Sequence, residues 1–341
     1  MINLRDMTQK EMSGLAQSMG QPAFRGKQLF GWIYKGKRDF REMKNLPGVF
    51  IQSLEEKCVI DPLTLLECRE SQTDGTKKYL FGLDGGSAVE TVFMKYKYGN
   101  SVCISSQAGC RMGCAFCASG IDGIDRNLTA GEMISQIMDV EADTGESVGH
   151  VVVMGTGEPF DNYDNLAKFI RLINDKDGKN LGMRNITVST CGLVPVIDRF
   201  AEDFPQVNLA ISLHGTTDER RSAIMPINKK YPLREVIDAA RRYTEKTGRR
   251  VTFEYALIHG ENDSNADMDS LCRLLRGMIC HVNLIPLNQV EDTGFKSSGR
   301  HRAEECMDRL ESRGIPATVR RQLGADIDGA CGQLRLEKLK K

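Results

Sequence analysis

Three cysteines in the first half of the chain have the spacing of a metal-binding loop. Cys110, Cys114 and Cys117 form a C-x3-C-x2-C run within "CISSQAGCRMGCAFC". A zinc site usually takes four ligands from paired C-x2-C units, and no histidine lies near this run. Three thiolates instead suit a 4Fe–4S cluster with one iron open to another ligand, such as the amino and carboxylate groups of S-adenosylmethionine (SAM). Structural zinc or buried free thiols are the alternatives.

Two further cysteines are candidates for chemistry. Cys103 lies seven residues before the run, and Cys331 lies in the glycine-rich segment "GADIDGACGQL" near the C-terminus. The glycines predict an accessible loop around Cys331. An exposed free thiol is a liability in a reducing compartment. On the residues alone, a chemical role for Cys331 and an incidental surface thiol are equally open.

The "VVVMGTGEP" segment is a glycine-rich turn that follows an apolar strand. The dinucleotide fingerprint G-x-G-x-x-G fails here, because Phe160 occupies its last position. Gly155 and Gly157 would instead allow a ligand close to the backbone, and Glu158 would offer a carboxylate to a ligand ammonium group. The alternative is a tight turn without a ligand.

Composition narrows the class of protein. The chain has 341 residues, 40% of them hydrophobic and 27% charged, which is typical of a folded globular protein. Basic and acidic residues number 46 each, so net charge neither supports nor excludes a nucleic-acid partner. The sequence has no apolar run of the roughly 18 residues that cross a bilayer and no signal-peptide pattern at its start.

These features predict a cytoplasmic protein with reduced thiols. In that compartment the eleven cysteines favour metal binding or catalysis over a disulfide framework. The isolated cysteines are interpreted as packing residues: Cys58, Cys68, Cys272, Cys280 and Cys306.

The elements that would position these residues alternate between short apolar strands and longer amphipathic helices. Six strand–helix units predict a parallel α/β sheet with right-handed crossovers. Polar residues follow or end these strands: Gly157, Glu158, Ser189, Ser212, His214 and Asn288. In a barrel such positions gather at one mouth, so we predict an incomplete, partial (β/α)6 barrel with an open side.

Composition also changes along the chain. Residues 1–75 predict a small helical domain, 76–100 a β-hairpin extension, 101–322 the barrel and 323–341 a flexible tail. In the helical domain, "PAFRGKQLFGWIYKGKRDF" interleaves aromatic with basic side chains. These residues would either form a core with solvated charges, or contact RNA phosphates and unstacked bases.

Several motifs of the chain together resemble those of a known family. The segments "CISSQAGCRMGCAFC", "MGTGEPFDNYDN", "ISLHG", "RSAIMPIN", "HVNLIPLN" and "DIDGACGQL" are similar to those of RlmN-type adenine carbon-2 RNA methyltransferases, in the same order. "CRMGCAFC" looks like the radical SAM motif of that family. The resemblance implies methylation of adenosine carbon 2 in 23S rRNA at the peptidyl-transferase centre, and in tRNA beside the anticodon.

The same resemblance implies roles for individual residues. Cys110, Cys114 and Cys117 would hold the 4Fe–4S cluster. Cys331 would carry the methyl group, Cys103 would resolve the RNA adduct through a transient disulfide with Cys331, and Glu90 would accept the proton. The SAM site would be lined by Gly157, Glu158, Ser189, Ser212, Leu213, His214 and Asn288.

The resemblance also implies partners and alternatives. It implies a low-potential electron donor such as flavodoxin or ferredoxin, and a monomer is the simplest expectation. Thr156, Cys191 and Gly329 depart from the usual family pattern, which puts fine SAM or substrate contacts in doubt. The alternatives are an adenine carbon-8 methyltransferase of the antibiotic-resistance type, another radical SAM enzyme and a zinc-stabilised RNA-binding module.

Overall fold

The computed structural model describes residues 1–60, 63–287 and 294–327. In these ranges the strands are β1 Ile2–Asn3, β2 Cys58–Val59, β3 Thr64–Glu70, β4 Lys77–Gly82, β5 Ala88–Tyr96, β6 Gly99–Ile104, β7 Gln107–Gly109, β8 Ile124–Asn127, β9 His150–Val153, β10 Ile186–Thr190, β11 Asn208–Ser212, β12 Val251–Leu257, β13 Cys280–Pro286 and β14 Ala317–Val319. The helices are α1 Gln9–Ser18, α2 Phe24–Tyr34, α3 Gly48–Lys57, α4 Ala130–Thr144, α5 Tyr163–Asn174, α6 Val194–Asp203, α7 Asp218–Ile224, α8 Leu233–Thr247, α9 Asn265–Leu275 and α10 Gly299–Ser312.

One continuous sheet organises the described part of the chain. Its strand order is β14-β13-β12-β11-β10-β9-β6-β5-β4-β3. Seven strands of this sheet run parallel and are connected by helices, which confirms the predicted α/β partial barrel: β6, β9, β10, β11, β12, β13 and β14. The short strand β14 adds a seventh parallel strand that the sequence did not predict.

The predicted hairpin extension is part of this sheet. Strands β3, β4 and β5 pair antiparallel with one another, and β5 pairs antiparallel with β6. The extension therefore continues the barrel wall instead of forming a separate small sheet.

Local signals explain where the helices begin and end. Helix α4 starts at a capping box, in which the Thr129 hydroxyl accepts the Glu132 N–H and the Glu132 carboxylate accepts the Thr129 N–H. It ends at Gly145, which adopts the left-handed conformation. Thr8 and Glu11 form the same box at α1. In the described ranges, no helix combines the length and apolar character needed to cross a bilayer.

The N-terminal helices form a small core that docks on the barrel. Phe30 and Phe50 are fully buried, whereas Phe24 is half exposed with the Arg25 guanidinium 4.7 Å from its ring centre. The Asp6 carboxylate accepts the Gly131 N–H at the start of α4, at 2.6 Å. Buried Arg5 pairs with Asp139 on the same helix, at 3.1 Å. The aromatic residues of this domain are thus divided between core and surface.

Candidate active site

The cysteine loop lies between the short strands β7 and β8. The Cys110 N–H donates to the Gly123 carbonyl at 2.8 Å, which closes the base of the loop. Gly109 has φ +78°, and a Cβ there would meet the Gly123 carbonyl oxygen. Only glycine tolerates both conditions. At the other side of the loop, the Ala115 N–H donates to the Ile224 carbonyl, which ties the loop to α7.

The three thiols of this loop face one cavity of about 270 Å³. Cys110, Cys114 and Cys117 are partly buried, and none of them is in a disulfide. Burial, with smaller effects of neighbouring charges, raises the pKa of the Cys110 thiol to about 12. It raises the pKa of Cys114 still further, and the neighbouring thiolates Cys117 and Cys110 add to that effect.

This donor set fits an iron–sulfur cluster. Thiolates are the usual protein ligands of such clusters, and bound iron would favour the charged form that burial disfavours. Apolar side chains surround the loop, including Met112, Phe116, Met225 and Ile258. A shell of this kind limits the access of water to a cluster. In the described ranges, no three His, Cys, Asp or Glu side chains are arranged to hold a single metal ion.

The glycine-rich turn after β9 lines the same cavity. Gly157 has φ +106°, and a Cβ there would lie 2.5 Å from the Gln107 Cβ. The Glu158 carboxylate is buried and accepts N–H groups from Phe160 at 3.0 Å and Cys191 at 2.8 Å. Burial raises the pKa of Glu158, although these hydrogen bonds oppose the shift. Glu158 therefore connects the turn after β9 to the end of β10.

The ends of β10 and β11 complete the wall of the cavity. Ser189 and Ser212 line it, and so does buried His214. The His214 Nδ1 accepts the Ala256 N–H at 2.9 Å, and its ring meets the Phe116 ring edge-on at 4.9 Å. Burial lowers the pKa of His214 to about 3, so the ring is neutral at physiological pH. The Leu213 side chain packs in the main core instead, and Asn288 lies outside the described residues.

Arg221 holds these strand ends together. It is fully buried, and its guanidinium donates to the carbonyls of Cys191 at 2.6 Å, Leu213 at 3.1 Å and Ser212 at 3.3 Å. A fourth hydrogen bond goes to the Asn228 side chain at 2.8 Å. Desolvation lowers the pKa of Arg221, but an arginine at neutral pH stays charged.

A second group of candidate residues lies on the neighbouring strands β4, β5 and β6. The pairing register aligns Lys78 with Val92, and Val92 with Cys103. Residues that are paired across strands point to the same face of the sheet. Glu90 lies two positions before Val92 on β5, so it points to that face as well. The Lys78 ammonium lies 3.2 Å from the Glu90 carboxylate, and both side chains are fully buried. Cys103 is diagonal to Glu90, at about 7–8 Å for such neighbours.

Shared contacts connect this group to the cavity. Cys103 packs in one apolar cluster with Met154, and Met154 also lines the cavity beside the cysteine loop. The Ser105 hydroxyl donates to the Glu90 carbonyl at 2.7 Å and accepts the Thr156 N–H at 3.0 Å. The position of the Glu90 backbone is thus coupled to the glycine-rich turn.

The structure brings most of the predicted residues together. Leu323 packs in the Cys103 cluster, but Cys331 lies outside the described residues. Of the five cysteines interpreted as packing residues, Cys58, Cys272, Cys280 and Cys306 are buried, whereas Cys68 is exposed, so that interpretation was wrong for Cys68.

Sequence reasoning missed Lys78, Glu254 and the role of Arg221. Glu254 and Arg320 both line the cavity. Glu254 ends up buried beside Asn283, whose amide donates to it at 2.8 Å. For Arg221 the sequence offered one signal, the "RSAIMPIN" motif that begins with it. The motif does not lie at the end of a predicted strand, so the sequence did not indicate that this arginine is buried.

Comparison with known proteins identifies the class first. Residues 104–272 match the model of the radical SAM superfamily. Residues 2–60 match the ribosomal RNA large subunit methyltransferase N-terminal domain. Together with the cysteine loop and the partial barrel, these matches define a radical SAM enzyme.

Full-length relatives identify the family. A protein of Clostridium perfringens (strain 13 / Type A), described as "Probable dual-specificity RNA methyltransferase RlmN", is 50% identical over 100% of this chain and 98% of its own length. A Clostridioides difficile (strain 630) protein of the same description is 47% identical, over 98% and 97%. The crystal structure of a radical SAM methyltransferase from Sphaerobacter thermophilus is 44% identical with a TM-score of 0.94, over 98% of this chain and 99% of that one. The chain belongs to the RlmN family of radical SAM RNA methyltransferases.

Proposed function

We propose that the protein methylates carbon 2 of adenosine in 23S rRNA, at the peptidyl-transferase centre, and in tRNA beside the anticodon. The observation that carries this proposal is the buried group Lys78, Glu90 and Cys103 beside the cysteine-lined cavity. A carboxylate and a thiol on one sheet face would supply a base and a sulfur nucleophile for one reaction. The relatives are described as dual-specificity RNA methyltransferases, which supports an RNA substrate for this chain.

Two sets of residues would bind the two cofactors, the iron–sulfur cluster and SAM. Cys110, Cys114 and Cys117 would hold a 4Fe–4S cluster, and SAM would lie against Gly157, Glu158, Ser189, Ser212 and His214. Leu213, through its backbone, and Asn288 complete the SAM set. When bound, the cluster and SAM supply methyl transfer and the radical chemistry that an electron-poor ring carbon requires.

Three side chains of the chain itself then act in turn. Cys331 carries the methyl carbon as a thioether. That carbon would lose one hydrogen atom to the radical that SAM supplies and become joined to carbon 2 of the adenine, and one electron of the adduct would return to the cluster. Glu90 accepts the proton that leaves carbon 2. The Cys103 thiolate attacks the Cys331 sulfur, so that a sulfur–sulfur bond forms and the sulfur–methylene bond breaks. Its electron pair passes to the methylene carbon, which takes a proton and becomes the methyl group.

The remaining partners follow from this chemistry. A low-potential donor such as flavodoxin or ferredoxin would supply electrons, and a reductant would restore the Cys103–Cys331 dithiol. A cytoplasmic location would keep the other thiols reduced. The N-terminal helices would contact RNA as part of a monomer, with half-exposed Phe24 and Arg25 as one contact.

Replacement of the resolving cysteine tests the proposal. Cys103→Ala should still load a methyl group on Cys331 and join it to RNA, but it should not break that bond. The protein–RNA adduct should therefore accumulate and be visible on a denaturing gel. Cys68→Ala, which removes an exposed thiol on β3, is the matched control and should release methylated RNA. Normal turnover by Cys103→Ala would contradict the role of Cys103.

A further inference from the structure

The start of the C-terminal tail is held against the turn that joins β3 to β4. The Ser71 hydroxyl donates to one Asp326 carboxylate oxygen at 2.7 Å, and the Gln72 N–H donates to the other at 3.0 Å. In the opposite direction, the Gly324 N–H donates to the Asp74 carboxylate at 2.9 Å. The two segments thus exchange hydrogen bonds through one carboxylate each.

The turn is organised to receive the tail. The buried Ser71 hydroxyl also accepts the N–H groups of Thr73 at 3.2 Å and Asp74 at 3.3 Å. Asp74 accepts the Thr76 N–H at 3.0 Å through its other oxygen. The Ser71 hydroxyl bond holds the pKa of Asp326 below its usual value, so this carboxylate is ionised at neutral pH. The bonds within the turn hold the Ser71 hydroxyl and the Asp74 carboxylate in place for the tail.

The same stretch of tail touches the Cys103 group. Leu323 packs against the cluster formed by Val92, Met94 and Cys103. The tail therefore leaves β14 at one edge of the sheet, passes Cys103 on β6 and reaches the turn after β3 at the other edge. Its path crosses the face that carries the reactive side chains.

Chain length connects these contacts to Cys331. The Arg320 N–H makes the last hydrogen bond to β13, on the Leu284 carbonyl at 2.8 Å. Cys331 follows Arg320 by eleven residues and Asp326 by five. Five residues span at most about 17 Å. Without the hydrogen bonds of Asp326 and Asp74, the segment between the last anchor and Cys331 would be about twice as long.

We propose that Asp326 and Asp74 form a clasp, defined as their hydrogen bonds with residues 71–72 and 324, which holds the tail so that Cys331 stays within reach of Cys103. This inference rests on the proposed pairing of Cys331 with Cys103. Both aspartates are positioning residues, because they act through the backbone of the tail and not on the substrate.

The rate of disulfide formation without RNA tests the clasp. Full-length protein, reconstituted with iron and sulfide under anaerobic conditions, is treated with diamide. Diamide takes up two electrons and two protons as the two thiols join. The initial rate of the Cys103–Cys331 disulfide is measured by peptide mass spectrometry. Effective concentration falls as about the −3/2 power of tether length, so the double variant Asp74→Ala/Asp326→Ala should slow the reaction about threefold, and Asp326→Ala alone somewhat less than twofold, because Asp74 still holds Gly324.

Two further variants are compared with Asp326→Ala, one as a control and one with a smaller expected effect. Asp84→Ala removes an exposed carboxylate from the turn between β4 and β5. Asp84 makes no hydrogen bond to the described part of the tail, so this variant should react at the wild-type rate. Asp326→Asn keeps one acceptor oxygen and should be intermediate. An Asp326→Ala rate equal to wild type would overturn the clasp. Absence of the disulfide in wild-type protein would instead overturn the proposed cysteine pairing, and the role of the clasp with it.

Amide hydrogen exchange tests the clasp independently of any thiol. The Gln72 amide should exchange slowly in wild-type protein and at its unprotected rate in Asp326→Ala. An unprotected Gln72 amide in wild-type protein would show that the clasp does not form, whatever the disulfide rate.

Discussion

At the scale of single residues, the buried ion pair between Lys78 and Glu90 contains the carboxylate that we propose as the proton acceptor. Burial strongly disfavours an isolated carboxylate, and the ammonium 3.2 Å away offsets that cost. Lys78 would therefore hold in position the Glu90 carboxylate that we propose as the proton acceptor.

Lys78→Met should separate the two halves of the reaction. The variant should still load a methyl group on Cys331, but methylated RNA should form about a hundredfold more slowly, since the Glu90 carboxylate would lose the ammonium that positions it. Lys78→Arg retains the cation and should recover part of the rate. Product formation and Cys331 loading are both followed by mass spectrometry.

Controls distinguish this effect from unfolding. Loss of one partner of a buried ion pair destabilises a protein by about 3–5 kcal/mol. The double variant Lys78→Met/Glu90→Gln removes both charges and should recover thermal stability without recovering turnover. Lys95→Met changes an exposed lysine on β5 and should behave as wild type. Wild-type turnover by Lys78→Met would contradict the role given to the pair.

At the scale of elements, Arg221 on α7 connects the cysteine loop to the strand ends. Its guanidinium binds carbonyls that follow β10 and β11, while the carbonyl of Ile224 on the same helix accepts the Ala115 N–H from the cysteine loop. A single short helix thus connects the cysteine loop to the strand ends that line the same cavity.

Arg221→Met should loosen both sides of the cavity. Three buried carbonyls would lose a charged donor, which should cost about 3 kcal/mol or more and lower the melting temperature by several degrees. SAM binding, measured by equilibrium dialysis, should weaken in the same variant. Arg234→Met, at an exposed position on α8, is the control. Unchanged stability and SAM affinity in Arg221→Met would contradict this role.

Sequence pattern predicted the elements better than the contacts between them. The apolar segments that became β9 to β13 were identified because strand and helix periodicities alternate. The pairing of Lys78 with Glu90 depends on the register of β4 against β5, which no local pattern specifies. The acceptors of Arg221 come from two different strand ends, so its role required the assembled sheet.

At the scale of the whole molecule, three segments converge on one face. The barrel carries the cysteine loop, the antiparallel extension carries Lys78 and Glu90, and the tail crosses between them to the turn after β3. The N-terminal helices are fixed to the outside of the barrel through Arg5 and Asp6. Separate regions of sequence thus carry the residues that we propose as metal ligands, base and methyl carrier.

The division of residues between cavity and extension also accounts for the four clustered cysteines. Cys110, Cys114 and Cys117 face the cavity, whereas Cys103 faces the strand pair of Glu90. Their spacing in the sequence indicated a set of three and a separate thiol, but only the family resemblance linked that thiol to Cys331. A direct contact between Cys103 and Cys331 stays a prediction.

Isotope tracing of the transferred methyl group tests most directly whether the methyl carbon reaches carbon 2 of the adenine by way of Cys331. The reconstituted enzyme is supplied with SAM that carries a trideuterated methyl group and with an RNA that contains the target adenosine, and the digested nucleosides are analysed by mass spectrometry. The proposed chemistry removes one methyl hydrogen while the carbon is on Cys331 and replaces it with a solvent-derived proton. The product should therefore be 2-methyladenosine with two deuterium atoms. Three deuterium atoms, a methyl group on carbon 8 or unmodified RNA would contradict the account.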